Sequence, residues 1–192
     1  MIRKLVAWTE SFATHRHKEA YLFAVAFTES SFFLVPPDVL IVAILSHGLK
    51  ESWVRIASIS TIGSVLGGLG GYVIGKLFFT YIGAPLVTLY GLEAELEHVE
   101  HLFEENAFLA ILVAAFTPIP YKVFTIGAGL FSLNLVTFTT ASIVGRGARF
   151  FLVAFLSNKY GAKVKDFVLK KVDTVTLVIG ILVLIGTYFV TK

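Results

Sequence analysis

The stretch Phe116-Thr-Pro-Ile-Pro-Tyr-Lys122 interrupts an apolar segment with two prolines and a lysine. A similar interruption, Glu29-Ser-Ser-Phe-Phe-Leu-Val-Pro-Pro-Asp38, lies earlier in the chain. Proline removes a backbone hydrogen-bond donor and breaks a helix, and in lipid no water replaces the lost bond. A charged side chain at the bilayer centre costs about 2.5–3.5 kcal/mol on insertion scales. Broken, charged segments are tolerated where they line a polar path, so these two stretches predict both the fold and the functional site.

The composition predicts a single all-α, polytopic membrane domain. Hydrophobic residues make up 56% of the 192 residues and charged residues only 15%, and the mean hydropathy is +0.82. A soluble domain of this size cannot bury so much apolar surface. The chain has no cysteine, which excludes disulfides, cysteine-ligated metals and thiol nucleophiles.

Enzyme motifs are missing from the sequence. No P-loop, nucleophile elbow or His-Glu-x-x-His motif occurs, and nothing indicates nucleic-acid binding. The segment Glu97-His-Val-Glu-His101 has zinc-ligand types at helical spacing, but no second shell supports a metal site there. We therefore expect no enzymatic activity, no cofactor and no metal.

Five apolar blocks give the expected topology, and they run roughly over 20–47, 54–82, 107–133, 135–157 and 174–190. Blocks two, four and five are long enough to cross a bilayer. Blocks one and three carry the prolines, and we expect each to fold back as a re-entrant hairpin with arms of about half a bilayer. With re-entrant hairpins, the Lys- and Arg-bearing connections all fall on the cytoplasmic side, as does the N-terminus. One full crossing by each of blocks one and three is the alternative, although it places Lys50 outside and the acidic connection inside.

A weak internal repeat underlies this topology. Gly63–Tyr72 aligns without gaps on Ala141–Phe150 at an offset of 78, with Ser64/Ser142 and Gly67/Gly145 identical. A hairpin plus one span crosses the membrane an odd number of times, so two copies run in opposite orientations, as in the inverted repeats of transporters. The expected parts are an interfacial segment 1–19, repeat one 20–84, an amphipathic connector 85–106, repeat two 107–162, and a basic loop with a C-terminal transmembrane helix 163–192.

Five charged side chains within the apolar blocks are candidate site residues. Glu29 and Asp38 are the intramembrane acids, and we expect them to couple protons or ions. Lys122, Arg146 and Arg149 are the bases, and two arginines at i, i+3 share a helix face that suits an anionic headgroup. The alternative is that these acids and bases only neutralise one another. The expected hairpin tips are Pro36, Pro37, Thr117, Pro118, Pro120 and Tyr121.

Glycines at i+4 spacing predict a helix-packing face without a chemical role. This glycine ladder consists of Gly63, Gly67, Gly71 and Gly75. It could pack within one chain or between two, so a homo-oligomer remains open.

Three of these motifs resemble the DedA family, also called the SNARE-associated or VTT-domain family, and within it the short YqaA-like branch. The resemblance rests on Phe116–Gly129, on Glu29 with Pro36-Pro37-Asp38, and on Gly145-Arg146 with Arg149-Phe150. It covers roughly residues 20–160. The broader family carries two arginines around the second hairpin proline, whereas this chain has Ala115 or Phe116 and Tyr121 or Lys122 there.

The resemblance implies opposed re-entrant hairpins and movement of lipid, undecaprenyl phosphate or phospholipid, across the bacterial inner membrane, in several members with the proton-motive force. We therefore expect a flippase- or scramblase-like lipid translocator whose partners are membrane lipids and protons. A proton-coupled antiporter of a small solute or ion, and a non-transporting membrane scaffold, are the alternatives.

Overall fold

The computed structural model describes residues 12–13, 15–32, 36–46, 52–91, 93–117 and 119–161, and of residues 93 and 95–105 it describes only the backbone. The described residues contain helices and no strand, which confirms the all-α class. In chain order the helices are α1 (Lys18–Ser31), α2 (Pro37–Ser46), α3 (Trp53–Phe78), α4 (Ala84–Tyr90), α5 (Glu93–Phe116), α6 (Tyr121–Leu130) and α7 (Leu135–Tyr160).

Two of the helices are long and apolar enough to cross a membrane. The first is the continuous segment Trp53–Tyr90, in which a π-helical turn, Phe79–Gly83, joins α3 to α4. The second is α7. Each begins at a polar N-cap, because the side chain of Ser52 accepts from Arg55 N and that of Asn134 accepts from Val136 N and Thr137 N.

The helices that flank the first pair of prolines are short. The two arms of the first interruption, α1 and α2, have 14 and 10 residues, or about 21 and 15 Å, against a hydrocarbon core of about 30 Å. Glu19 at the start of α1 forms an ion pair with Arg55 at the start of α3, with an N···O distance of 2.8 Å. The chain thus returns after α2 to the side from which α1 began.

The two long helices run antiparallel. At one end, the ring of Trp53 at the start of α3 packs against Phe155 near the end of α7, with centroids 5.5 Å apart. At the other end, Tyr72 late in α3 donates to the carbonyl oxygen of Leu133, just before α7, at 2.7 Å. The side that carries Trp53 and Arg55 therefore also carries Lys159.

The second arm of each hairpin packs mainly on the long helix that follows the other hairpin. Arm α1 packs on α3 and arm α5 on α7, but α2 packs mainly on α7 and α6 mainly on α3. Each long helix is thus clamped by one arm from each hairpin. The order of a short helix, a 10-residue helix and a 26-residue helix occurs twice, as α1–α2–α3 and as the end of α5 with α6 and α7.

Two apolar cores lie toward opposite ends of this bundle. The core near Trp53 consists mainly of Leu22, Leu40, Ile41, Ile44, Ile56, Phe150 and Val153. The core near Tyr72 consists mainly of Ile111, Tyr121, Leu133, Phe138 and Ala141. Both are built from residues of α3, α7 and the hairpin arms, so anything polar between the cores is surrounded by packed helices.

Some element boundaries differ from those predicted. Helix α5 runs from Glu93 to Phe116 without a break. The second half of the expected connector and the first arm of the second hairpin are therefore one helix. The run of glutamates supports this because glutamate favours helix as well as a polar surface. The expected C-terminal transmembrane helix, the segment 1–11 and the side chains of the Glu97–His101 cluster lie outside the described residues.

The glycine ladder is a packing face, as predicted, and it serves both hairpins. A β-carbon on Gly67 would overlap the carbonyl group of Phe27 in α1, and one on Gly75 would overlap that of Ile126 in α6. Gly129 of α6 meets the backbone of Tyr72 in the same way. Backbones this close leave no room for any side chain, so glycine is required at these crossings.

Gly129→Ala is expected to destabilise the protein by about 1–3 kcal/mol, because its methyl group would push α6 away from α3. The matched control is Gly127→Ala on the same helix, where a β-carbon meets nothing within 4 Å. Alanine favours helix over glycine, so the control is expected to be neutral or more stable by up to about 1 kcal/mol. Thermal unfolding in detergent measures both, and equal midpoints would contradict the close crossing.

Candidate functional site

Arg146 of α7 lies at the centre of a buried polar layer between the two apolar cores. Its Nη2 donates to Glu29 Oε2 of α1 at 2.6 Å, and its Nε donates to Ser64 Oγ of α3 at 2.6 Å. Arg146 is only 4% exposed. A buried guanidinium needs a counter-charge and hydrogen-bond acceptors, and Glu29 and Ser64 supply them from two different helices.

Two aromatic rings enclose the same guanidinium. Its carbon lies 4.5 Å from the ring centroid of Phe150 and 5.1 Å from that of Tyr121. Cation–π attraction is strongest where water is excluded, about 2 kcal/mol at desolvated sites. The rings therefore stabilise the arginine and fix its orientation toward Glu29.

Arg149, one helical turn further along α7, joins the two hairpin tips. Its Nη2 and Nε both donate to Asp38 Oδ2, at 2.6 and 3.2 Å, and its Nη1 donates to the carbonyl oxygen of Phe116 at 3.1 Å. Asp38 lies in the first turn of α2 and Phe116 is the last residue of α5. The guanidinium of Arg149 thus binds both the start of α2 and the end of α5.

Hydroxyl groups extend the polar layer between the helices. The hydroxyls of Ser30 and Ser64 lie 2.6 Å apart, and Thr125 Oγ1 donates to the carbonyl oxygen of Ser30 at 3.1 Å. The hydroxyl of Tyr121 donates to Ser142 Oγ at 2.5 Å. These bonds link α1, α3, α6 and α7 at the same level as the arginines.

The structure brings four of the predicted charged residues together. The pairs are Glu29 with Arg146 and Asp38 with Arg149, so the arginines carry no excess charge over the two acids. Lys122 is half-buried in the first turn of α6, and its carbonyl oxygen accepts from Thr125 at 3.0 Å. The headgroup role of the three bases stays a prediction.

The predicted tip residues lie at helix ends. Pro37 is buried at the start of α2, and Pro36 is exposed just before it. Thr117 is buried directly after α5, whereas exposed Pro120 and buried Tyr121 form the start of α6. Pro118 lies outside the described residues.

The serines and Thr125 of the layer are not among the predicted site residues, whereas Tyr121 is predicted as a tip residue. Ser64 and Ser142 are the one polar pair shared by the aligned stretches of the internal repeat. Both are buried and bonded to the polar layer, Ser64 to Arg146 and Ser142 to Tyr121. The occurrence of serine at the same position of both repeats is therefore a signal that could identify Ser64 and Ser142. Nothing in the sequence singles out Ser30 or Thr125.

Comparison with known proteins matches the sequence to a family. The profile of the VTT domain matches residues 35–159, which include Asp38, both arginines and the second hairpin. The chain belongs to the VTT-domain family, the DedA family. The family, together with the two long apolar helices, indicates a membrane protein.

Sequence similarity to individual relatives extends beyond the residues that the domain profile matches. An uncharacterised protein of Haemophilus influenzae is 34% identical over 192 residues, which cover 100% of this chain and 96% of that protein. An uncharacterised protein of Histophilus somni is 30% identical over 82% of this chain and 84% of its own. One of the archaeon Methanocaldococcus jannaschii is 27% identical over 78% of this chain and 83% of its own. No solved structure matches the chain.

The Glu29–Arg146 pair is expected to respond asymmetrically to mutation. Arg146→Gln leaves a carboxyl that can take up a proton, whereas Glu29→Gln leaves a buried guanidinium that cannot release one. We expect Glu29→Gln to destabilise the protein by about 3 kcal/mol, the lower end for an uncompensated buried charge, because Glu29 keeps 20% of its side chain exposed. The double variant should recover part of that loss. Thermal unfolding of the four proteins in detergent measures these differences, and additive losses would show that the pair is not coupled.

Proposed function

We propose that this VTT-domain protein moves a lipid across the bilayer by passing its anionic headgroup through the buried layer of ion pairs. The observation that carries the proposal is the position of Arg146 and Arg149, which are buried between two apolar cores and held by acids on hairpin arms. Charged pairs at this depth are costly and mark transport paths in membrane proteins. The headgroup would cross on the arginines while the acyl chains stay in lipid.

Exchange of a carboxylate for a phosphate on Arg146 would give the transport a chemical cycle. A phosphate oxygen can replace Glu29 Oε2 on Arg146, since guanidinium binds carboxylate and phosphate with the same fork of donors. The replacement is favourable only if the displaced carboxylate loses its charge, because two anions would otherwise compete for one cation. Proton uptake by Glu29 or Asp38 would therefore release an arginine for the headgroup, and proton loss would expel the headgroup. Lys122 would add a third positive group at the start of α6.

The proposed topology is an inverted repeat of re-entrant hairpins. It is supported by the two arms of the first hairpin, which are shorter than the bilayer, by the Glu19–Arg55 pair that joins the starts of α1 and α3, and by the antiparallel α3 and α7. The positive-inside rule puts the end with Arg55 and Lys159 in the cytoplasm, together with the N-terminus. In a bacterium this membrane is the inner one.

Headgroup accessibility in proteoliposomes tests the proposal. Vesicles would contain purified protein and a fluorescent phospholipid or labelled undecaprenyl phosphate in both leaflets, with an impermeant quencher added outside. Wild type is expected to expose inner-leaflet label quickly. Arg146→Ala should slow this about tenfold or more, since a hydrogen bond to a charged group contributes about 1.5–3 kcal/mol.

The matched control is Arg55→Ala, because Arg55 also forms an ion pair with a glutamate but is largely exposed at the membrane edge. It should move lipid at the wild-type rate. Arg146→Ala with wild-type movement would contradict the headgroup role. If wild type moves neither lipid, with or without a pH gradient, lipid translocation is wrong; solute flux would then support the antiporter, and its absence the scaffold.

A further inference from the structure

The guanidinium of Arg146 is enclosed by one aromatic ring from each apolar core. Its carbon lies 4.5 Å from the ring centroid of Phe150, which belongs to the core near Trp53, and 5.1 Å from that of Tyr121, which belongs to the core near Tyr72. Phe150 and Tyr121 are both fully buried. The two rings therefore close off the arginine toward the two ends of the bundle.

The two rings differ in how they are attached. Phe150 lies one turn from Arg146 on the same long helix, so its backbone keeps its place relative to the arginine. Tyr121 comes from another element and is the first residue of α6, directly after the exposed residues Ile119 and Pro120. No side chain caps this end of α6. The ring of Tyr121 is therefore the one that can swing toward the surface while the rest of α6 stays on α3.

A hydrogen bond of the Tyr121 hydroxyl holds the ring in place. The hydroxyl donates to Ser142 Oγ at 2.5 Å, and Ser142 Oγ in turn donates to the carbonyl oxygen of Phe138 at 2.6 Å. The single proton of the serine hydroxyl is thus used within α7, and the tyrosine has to be the donor to the serine. A bond between two neutral groups contributes less than the charge-assisted bonds of the polar layer, so it is the easier one to break.

Gly68 of α3 provides the niche that receives this hydroxyl. A β-carbon on Gly68 would lie 2.9 Å from Tyr121 Oη and 3.4 Å from its Cε1, so any side chain there would displace the ring. The internal repeat aligns Gly68 with Arg146. The position that carries the buried arginine in one half of the molecule thus carries no side chain in the other half, where Tyr121 fills the space.

We propose that Tyr121 is a gate residue: its ring covers Arg146 from the end of the bundle near Tyr72, and an anionic headgroup reaches the arginine when the ring leaves the niche at Gly68. The hydrogen bond to Ser142 breaks, and the side chain rotates toward the exposed tip of the second hairpin. A phosphate oxygen then takes the side of the guanidinium that the ring has left. This assignment rests on the proposed function and names the residue that controls entry to its site.

The gate is separate from the ion pairs of the layer. The hydrogen bond that holds Tyr121 involves Ser142 and neither of the two acids. Gly129, near the other end of α6, keeps that helix against the backbone of Tyr72 whether the ring is in its niche or not. Movement of the ring therefore changes access to Arg146 and leaves the charge balance of the layer as it is.

Cysteine accessibility tests the gate without any transport assay, because the chain has no cysteine and one introduced thiol is a unique reporter. Ser64→Cys places the reporter beside Arg146 and one turn from Gly68, at a position that is 0% exposed. Its reaction with a small anionic methanethiosulfonate, followed by mass spectrometry of the protein in detergent, gives the rate at which an anion enters the layer. Adding Tyr121→Phe should raise this rate roughly fivefold, the change expected for the loss of one hydrogen bond between neutral groups.

Gly68→Ala should raise the labelling rate as well, because its methyl group displaces the hydroxyl of Tyr121 from the niche. The matched control is Gly70→Ala on the same helix, where a β-carbon meets its nearest neighbour at an ordinary contact distance of 3.4 Å. This control should leave the rate of the Ser64→Cys reporter unchanged. Gly68→Ala keeps the gate testable even if Tyr121→Phe does not fold.

A second reporter, Ala154→Cys, separates gating from a general loosening of the protein. Ala154 is 0% exposed in the core near Trp53, to which Phe150 also belongs, and this reporter should stay unlabelled in every variant. The gate is overturned if the folded variants leave labelling of the Ser64→Cys reporter unchanged, or if they speed labelling of both reporters. Gated labelling in a protein that moves no lipid would sustain the gate while contradicting the proposed translocation.

Discussion

The fold depends on neutralising two arginines that are buried between apolar cores. A guanidinium cannot lose its proton at this depth, so Arg146 and Arg149 must each have an acid and further acceptors within reach. No single neighbouring helix supplies them. Arg146 takes its partners from α1 and α3, and Arg149 takes its partners from α2 and from the end of α5. Four helices must therefore converge on one face of α7.

Glycine makes that convergence possible. Hydrogen bonds between side chains as short as serine need the helix backbones almost in contact. At Gly67 the backbone of α1 approaches so closely that Ser31 Oγ donates to the carbonyl oxygen of Gly67 at 2.7 Å, and Ser30 reaches Ser64 one turn away. At Gly71 and Gly75 the same face of α3 receives α6. The residues that carry no side chain thus decide which polar side chains can meet.

The sequence predicts the individual helices and breaks better than the contacts between them. Periodicity and proline placement are local signals, so the helical class, the broken segments and the glycine face could be read from the chain. The pairing of Glu29 with Arg146 and of Asp38 with Arg149 joins residues 117 and 111 positions apart. The Asp38–Arg149 pair follows from the crosswise packing of α2 on α7, and the Glu29–Arg146 pair from the packing of both α1 and α7 on α3, and no local pattern encodes either. The same limit hid Ser30 and Thr125, since an isolated hydroxyl residue gives no signal until its neighbour is known.

The distribution of charge between the elements has a mechanical consequence. Both arginines lie on α7, a helix of 26 residues, whereas the acids lie on the arms of the first hairpin, Glu29 near the end of α1 and Asp38 directly after Pro37. Of these four groups only the acids can lose their charge, so in the proposed cycle protonation would weaken the contacts of the first hairpin with α7, whereas the second hairpin packs on α3 through Gly75 and Gly129. The two hairpins are alike in outline but not in chemistry. The first is held to α7 by two ion pairs and the second to α3 by close backbone contacts, so in the proposed cycle a proton-driven opening of the layer would begin at the first hairpin.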